Sequence, residues 1–406
     1  MKLISGGVTA AKGFRASGVH AGVKAGSSPD KNDLAMILCD TEAAAAGVYT
    51  MNRVKAAPIY VTMEHLENGV ARGIIANSGN ANACAPMGHE NAVKMCEAAA
   101  SATGLRPEDF IVASTGVIGV PLNVSVIEAA CPTLSSLLSR DGSMEAARAI
   151  MTTDTVPKEI AVSFEIGGKE VRLGGIAKGS GMIHPNMGTM LCFLTTDCAI
   201  TPDVLQGALY DITKITFNRV SVDGDTSTND SCVILASAQA GNPVIDWKSE
   251  DYEVFLEALR YVCTELAKKI AGDGEGATKL VTCTVSGSRS DEAAEKLAME
   301  VIKSSLVKAA MFGADANWGR VLCAMGYSRA PFRPEYVDVT FASAAGEILV
   351  CRHGEGLPFD EDKAKEILSQ PEVEIRVHVG EGEHTVTAWG CDLTYDYVKI
   401  NGDYRT

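Results

Sequence analysis

The stretch KGSGMIHPNMGTMLCFLTTD covers residues 178–197 and leads from a glycine-rich loop into an apolar run. Three glycines and a proline fall within its first eleven residues, and Thr189 then precedes the apolar residues 190–194. A Gly–Thr pair at such a boundary is usually a turn followed by a β-branched strand residue. Glycine also adopts backbone conformations that other residues resist, so a strained peptide bond at this point is a second interpretation.

The Gly188–Thr189 pair has the groups needed for self-cleavage. Attack of the threonine hydroxyl on the preceding carbonyl carbon shifts the acyl group from nitrogen to oxygen, and hydrolysis of the ester then frees a chain that begins with threonine. That residue carries a hydroxyl nucleophile and, as a nearby base, an α-amine with a pKa of about 8. The local residues leave both alternatives open, a turn or a cleavage site.

Composition restricts the class of protein. The chain has 406 residues, of which 46% are hydrophobic and 21% charged, so it can bury a full core in one large unit or two domains. The net charge of −15 disfavours nucleic acid and anionic membranes as partners.

The twelve cysteines include no CxxC pair, which predicts neither a zinc site nor a disulfide framework. No apolar run approaches the roughly 20 residues of a membrane helix, and the N-terminal residues lack a signal-peptide core. We therefore expect a soluble cytoplasmic protein that uses no metal or other cofactor.

Periodicity predicts a mixture of helices and strands. Helical patterns cover residues 90–105, 252–272 and 290–313, and Gly104 and Ser290 are typical capping residues. Strand patterns cover residues 73–77, 110–115, 336–342 and 373–393, and the last of these predicts a hairpin that turns at 380–383. Because no regular βαβ rhythm appears, we predict an α+β fold with layered helices and sheets.

Four polar segments are candidates for a site, and each has a simpler structural interpretation. Thr115-Gly116 ends an apolar run and can present hydroxyl and N–H groups to an oxyanion, or it is only a strand-ending turn. Asp273 and Glu275 can hold a substrate amine, or they lie in a solvated acidic loop. IANSGNANAC (75–84) is a shaped polar loop or an Asn-rich turn. VDGDTSTND (222–230) suggests a metal through its aspartates but lacks the pattern of an EF-hand.

Several longer motifs occur together along the whole chain, in this order: GVTAAKGFRASG (7–18), NSGNANAC (77–84), STGVIG (114–119), MTTDT (151–155), KGSGMIHPNMGTML (178–191), GDGEGATKL (272–280), ANWGRV (316–321) and YVKINGDYRT (397–406). In this combination the chain resembles the ornithine acetyltransferase family, also called glutamate N-acetyltransferases, of arginine biosynthesis. The resemblance implies the layered α+β fold shared with self-processing aminopeptidases.

The resemblance also implies cleavage between Gly188 and Thr189. The products would be an α chain of residues 1–188 and a β chain of residues 189–406, assembled as an α2β2 heterotetramer. Thr189 would take the acetyl group from N2-acetylornithine and pass it to glutamate in a ping-pong reaction. Some members also accept acetyl-CoA as donor, and the sequence does not decide this point. Residue 188 is glycine where the family more often has alanine, which leaves the cleavage rate open.

By the same resemblance, Thr115 and Gly116 would form the oxyanion hole. The substrate-binding positions would be Thr152 (or Thr153 beside it), Lys178, Thr189, Glu275, Asn401 and Thr406. Charge supports two of these roles, because Lys178 suits a substrate carboxylate and Glu275 suits the distal amine of ornithine. The alternative functions are an aminopeptidase or amidase that uses the same N-terminal threonine, and a non-catalytic amino-acid-binding protein.

Overall fold

The computed structural model of the chain describes residues 1–184 and 190–403. The predicted cleavage site, Gly188 and Thr189, and the predicted substrate-binding Thr406 lie outside these ranges. The described residues form two β-sheets with helices packed against them, which confirms the predicted α+β class. Among the described helices, none has the length and apolar character needed to cross a membrane.

Strands and helices alternate irregularly along the described residues. The strands are β1 (Lys2–Ile4), β2 (Phe14–Val19), β3 (Leu34–Tyr49), β4 (Val70–Asn77), β5 (Phe110–Ser114), β6 (Lys158–Ile166), β7 (Lys169–Lys178), β8 (Leu191–Thr196), β9 (Val220–Ser221), β10 (Ser231–Ala236), β11 (Leu280–Ser288), β12 (Asp338–Ser343), β13 (Gly346–Arg352), β14 (Glu355–Gly356), β15 (Glu372–His378) and β16 (His384–Cys391). The helices are α1 (Ala57–His65), α2 (Gly88–Thr103), α3 (Val124–Ser136), α4 (Ser143–Ala149), α5 (Pro202–Ile215), α6 (Glu250–Gly272), α7 (Asp291–Lys303), α8 (Ser305–Phe312), α9 (Trp318–Gly326), α10 (Glu361–Leu368) and α11 (Tyr395–Asp403).

The larger sheet positions the two ends of the glycine-rich loop side by side. Its strand order is β1-β6-β7-β8-β10-β3-β4-β5, and β2 pairs with β3. Strand β7 is antiparallel to β8, so that Lys178 at the end of β7 faces Leu191 at the start of β8. On its other side β8 runs parallel to β10. The end of β7 and the start of β8 are therefore neighbours, on two adjacent strands in the interior of the sheet.

The apolar run after Thr189 is buried on both faces of this sheet. Cys192 and Leu194 in β8 pack into a core shared with α5 and α6, whereas Leu191 and Phe193 pack into a separate core on the other face. A strand that is covered on both faces is apolar at consecutive positions rather than alternately. This explains why residues 190–194 carry no polar alternation.

The smaller sheet corrects the predicted hairpin. Its order is β14-β13-β12-β15-β11-β16-β9, so β15 and β16 are neighbours in sequence but not in the sheet. Strand β11 lies between them, parallel to β15 and antiparallel to β16. The five-residue connection 379–383 easily spans the roughly 10 Å across one intervening strand. The hairpin was wrong because turn residues alone do not reveal a strand inserted from elsewhere in the chain.

The predicted helix over residues 290–313 is two helices, α7 and α8. Ser304 between them has an extended backbone, with φ −62° and ψ 113°, and its side chain accepts a hydrogen bond from the N–H of Val307. Ser304 therefore ends α7 and caps α8, because serine competes well with the helical backbone for hydrogen bonds. The predicted caps are confirmed, since Ser290 accepts from Ala293 N–H and Gly104 ends α2 in the left-handed conformation.

Candidate active site

A pocket of about 140 Å³ lies where the larger sheet meets the loop after α6 and the helix α11. Its walls include every predicted catalytic or substrate-binding residue within the described ranges, namely Thr115, Gly116, Thr152, Lys178, Glu275 and Asn401. Thr153 also lines it, so both threonine alternatives remain. The other lining residues are Ile118, Gly181, Met182, Ser227, Thr228 and Asn229.

Gly116 lies against another backbone segment so closely that no side chain fits. Its φ is +133°, and a Cβ atom built on it would lie 2.4 Å from the carbonyl carbon of Gly79 and 2.6 Å from the nitrogen of Asn80. The preceding Thr115 is buried, and its N–H donates to the Asn77 carbonyl at 2.9 Å. The strand therefore ends in a turn, as the simpler interpretation predicted, and this turn also forms a wall of the pocket.

The Asn-rich segment 75–84 comprises the end of β4 and the shaped polar loop that follows it, next to that wall. Asn77 donates to the carbonyl of Asn80 at 2.9 Å and accepts from the Ser114 hydroxyl at 2.7 Å. Asn82 donates to the Gly88 carbonyl at 2.7 Å. All three asparagines are buried, so their amides take the place of water for the turning backbone.

The acidic loop after α6 is buried rather than solvated. Glu275 is 9% exposed, and its N–H donates to the Ser180 carbonyl at 3.0 Å. The Glu275 carboxylate accepts from the Asn401 side-chain amide at 2.7 Å. Gly181 is packed against it, because a Cβ atom there would lie 2.4 Å from the Glu275 carboxyl carbon. The loop therefore presents one carboxylate to the pocket.

Lys178 presents the opposite charge. It is the last residue of β7 and is only 1% exposed, and its Nζ atom lies 3.8 Å from Oδ2 of Asp154. Burial lowers the pKa of Lys178, and the negative charge of Asp154 opposes that effect. A cation and an anion, Lys178 and Glu275, thus line one small pocket.

A buried charge network behind Lys178 was missed by the sequence analysis. Lys158 is fully buried, and its Nζ atom lies 2.7 Å from Asp154 and 2.6 Å from Asp273. Burial alone would raise the pKa of Asp154, but the charges of Lys178 and Lys158 bring it well below its usual range. A spacing of four residues, as between Asp154 and Lys158, indicates an ion pair when both residues lie on one helix. Lys158 is the first residue of strand β6, so the spacing did not predict this contact.

The aspartates of segment 222–230 anchor backbone on both sides of the undescribed residues 185–189. Asp223 accepts from the N–H groups of Met182 and Ile183, at 2.6 and 2.9 Å. Asp230 is fully buried and accepts from the N–H of Met190 at 2.8 Å. Burial raises the pKa of both carboxyl groups. Within the described ranges, no group of three or more His, Cys, Asp or Glu side chains is arranged to hold a metal ion.

The end of the same segment contributes to the pocket through Asn229. Its amide donates to the Ala81 carbonyl at 2.6 Å and to the Ser114 carbonyl at 2.8 Å. Asn229 therefore ties the segment 227–229 to the turn that carries Thr115. No sequence pattern assigned these residues to the site, although they lie in the segment 222–230, whose aspartates suggested a metal site.

His184 is the last described residue before the undescribed segment. Its Nδ1 atom lies 3.2 Å from the Ser221 hydroxyl. Burial, with a smaller effect from the positive charge of Lys303, lowers the pKa of His184 to about 4. The imidazole is therefore neutral near pH 7.

Helix α11 brings Asn401 to the pocket although none of its side chains is buried. The helix is attached at its start, where the Thr394 hydroxyl donates to the Gly276 carbonyl at 2.7 Å. Gly276 has φ +70°, and a Cβ atom there would lie 2.7 Å from the nitrogen of Tyr397. Gly276 in the 272–280 motif thus allows α11 to approach the loop that carries Glu275.

The chain matches one protein family over nearly its whole length. The ArgJ family matches residues 15–406. The arginine biosynthesis bifunctional protein ArgJ of Symbiobacterium thermophilum is 51% identical over the whole length of both chains. ArgJ 1 of Clostridium acetobutylicum is 49% identical over 97% of this chain and 96% of its own.

A solved structure supports the same relationship. The crystal structure of arginine biosynthesis bifunctional protein ArgJ from Bacillus halodurans matches with a TM-score of 0.51 and 47% identity, covering 53% of this chain and all of that one. The motif resemblance is thereby confirmed. The chain belongs to the ArgJ family, the family of ornithine acetyltransferases that its motifs predicted.

Proposed function

We propose that this protein is a glutamate N-acetyltransferase that transfers acetyl from N2-acetylornithine to glutamate through Thr189. In the first half-reaction the Thr189 hydroxyl attacks the acetyl carbonyl, the amide C–N bond breaks, and the amine takes up the proton and leaves as ornithine. In the second, the amine of glutamate attacks the acetyl ester, the C–O bond breaks, and Thr189 regains its proton. Neither step needs a metal or another cofactor.

The observation that carries this proposal is that Lys178 and Glu275 line the same pocket. N2-acetylornithine has a carboxylate at one end and an ammonium group at the other, and the pocket offers one partner for each. The acetylated nitrogen lies between these charges, next to the carboxylate end. Thr115 and Gly116 line the same pocket and are the groups we propose for the developing oxyanion. Thr152 or Thr153, Asn401 and Thr406 complete the proposed substrate site.

Self-cleavage between Gly188 and Thr189 is part of the proposal, because only a terminal threonine has the amine that acts as its base. The products would be residues 1–188 and residues 189–406, assembled as α2β2. The Bacillus halodurans chain supports this division, since all of it matches only 53% of this chain, as a chain of about half the length would. The pocket walls come from both proposed chains, for example Thr115 and Glu275.

The decisive assay incubates the protein with N2-acetylornithine in the presence and absence of glutamate. We expect ornithine and N-acetylglutamate in equal amounts, and little acetate without glutamate. Acetate release that does not depend on glutamate would instead identify the alternative, an amidase with the same nucleophile. Replacing N2-acetylornithine by acetyl-CoA tests the second donor, and native mass spectrometry tests the α2β2 assembly.

We place the reaction in the cytoplasm. All twelve cysteines lie in the described ranges and are free thiols, as is usual in a reducing compartment.

A further inference from the structure

Lys158 has no contact with the pocket, yet it holds the carboxylate closest to Lys178. Its Nζ atom lies 2.7 Å from Oδ1 of Asp154 and 2.6 Å from Oδ2 of Asp273, and none of these three residues belongs to the pocket lining. The side chains of Lys158 and Asp154 are completely buried. Water therefore does not compete for these contacts.

Asp154 is shared unequally between two lysines. Its distance of 2.7 Å to Lys158 is that of a charge-assisted hydrogen bond, whereas the 3.8 Å to Lys178 exceeds hydrogen-bonding distance. Two backbone N–H groups also donate to the carboxylate, that of Gly179 to Oδ1 at 2.7 Å and that of Thr152 to Oδ2 at 3.1 Å. Lys178 is thus attracted by a fixed negative charge without being bonded to it, and its amino group remains available at the pocket wall.

We propose that Lys158 is a positioning residue that sets the specificity of the pocket for a carboxylate. By bonding Oδ1 of Asp154 and sharing its negative charge, Lys158 leaves only the longer 3.8 Å ion pair between Oδ2 and Lys178, whose amino group can then take a substrate carboxylate. The inference rests on the proposed function, because it assumes that Lys178 binds the α-carboxylate of N2-acetylornithine. It adds a residue that acts from behind the pocket through Asp154.

Removal of Lys158 alone leaves Asp154 without its main partner. A small rotation of the Lys178 side chain would then bring its amino group into hydrogen-bonding distance of Asp154. In that arrangement Asp154 competes with the substrate carboxylate for Lys178. When the Asp154 charge is removed together with Lys158, no carboxylate is left to compete for Lys178. When the Asp273 charge is removed together with Lys158, Asp154 still competes, because Asp273 pairs with Lys158 and not with Lys178.

The test uses the full chain in three forms, wild type, Lys158→Met/Asp154→Asn and Lys158→Met/Asp273→Asn. Both double variants remove one buried cation and one buried anion, so they keep the charge balance of the core and form a matched pair. Lys158→Met alone is added where it folds. For each protein, kcat/KM is measured with N2-acetylornithine and with its α-carboxamide, and the ratio of the two values reports carboxylate specificity.

We expect Lys158→Met/Asp273→Asn to lose roughly tenfold or more of the wild-type ratio, mainly through a higher KM for the carboxylate substrate. Lys158→Met/Asp154→Asn should retain most of the ratio. Equal ratios in the two double variants would overturn the inference. A wild-type protein that transfers acetyl but does not prefer the carboxylate would overturn it as well. Absence of acetyl transfer in the wild type would instead refute the proposed function.

Discussion

Asn401 donates a hydrogen bond of 2.7 Å from its side-chain amide to the Glu275 carboxylate, across 126 positions of sequence. This contact joins the exposed helix α11 to the buried loop after α6. It leaves Glu275 with oxygen lone pairs for a further donor, since a carboxylate accepts about four hydrogen bonds. A substrate ammonium group can therefore bind Glu275 without displacing Asn401.

Glu275→Gln should weaken binding of N2-acetylornithine while keeping the contact with Asn401, because the glutamine carbonyl still accepts a hydrogen bond. We expect kcat/KM to fall roughly tenfold to hundredfold through KM, the typical effect of losing one charged hydrogen bond. N2-acetylnorvaline, which lacks the distal amine, should be used equally well by both proteins. Glu257→Gln on the exposed face of α6 is the control variant. An unchanged KM for N2-acetylornithine would remove Glu275 from the substrate site.

Gly116→Ala should disable the site because the new Cβ has no room. It would lie 2.4 Å from the Gly79 carbonyl carbon at a φ of +133°. We expect activity to fall by a factor on the order of 10², since the turn that carries Thr115 must shift. Gly119→Ala is the matched control, because Gly119 has φ +81° but no atom within 4 Å of a built Cβ.

Gly119→Ala should lower the free energy of unfolding by about 1 kcal/mol and leave activity nearly unchanged. Thermal unfolding and the acetyl-transfer rate of the two variants separate backbone strain from the steric contact. Equal activities in the two variants would show that the close approach at Gly116 is not required.

Thr189→Ala should remain a single chain of about 42.7 kDa, because no hydroxyl is left to attack the Gly188 carbonyl. Thr189→Ser should still be cut, since the hydroxyl is kept. Intact-mass spectra of denatured wild type and both variants provide the measurement, and a wild-type fragment beginning at Thr189 is the expected product. Cleavage of the alanine variant at this bond would contradict the mechanism.

Gly188→Ala introduces the alanine that the motif resemblance leads us to expect before Thr189. The extra Cβ reduces the conformational freedom of the scissile peptide, so we expect cleavage to proceed at least as fast as in the wild type. The fraction of cut chain is followed by mass spectrometry after rapid purification. Slower cleavage in the alanine variant would show that this chain depends on glycine at position 188.

Acidification should destabilise the protein partly through His184. Its pKa in the folded state is about 4, below the ordinary value of about 6.5. Between these two pH values the unfolded chain binds more protons at this residue, so the free energy of unfolding rises with pH in this window and falls on acidification. His184→Asn removes this contribution, which is on the order of 1 kcal/mol because solvent screens the partly exposed side chain.

The measurement is denaturant unfolding of wild type and His184→Asn at pH 4.5 and pH 7. We expect the stability difference between the two proteins to change with pH in favour of the wild type at pH 7. Parallel pH dependences would show that His184 has no lowered pKa.

The sequence by itself determined the features that depend on neighbouring residues. Helical periodicity placed α2 and α6, and the caps at Ser290 and Gly104 were correct because capping involves only a few residues on either side. The ordered motifs determined the family. The motif residues were also sufficient to select Thr115, Lys178, Glu275 and Asn401, which line one pocket.

Only the tertiary structure decided which distant segments meet. It inserted β11 between β15 and β16, and it brought Lys158 to Asp273 across 115 positions. Strand pairing and burial of charge depend on the packing of the whole chain, so no local pattern encodes them. In the sequence, no local pattern distinguishes Lys158 from a surface lysine. Its complete burial beside two carboxylates appears only after the sheet and the loop following α6 have packed together.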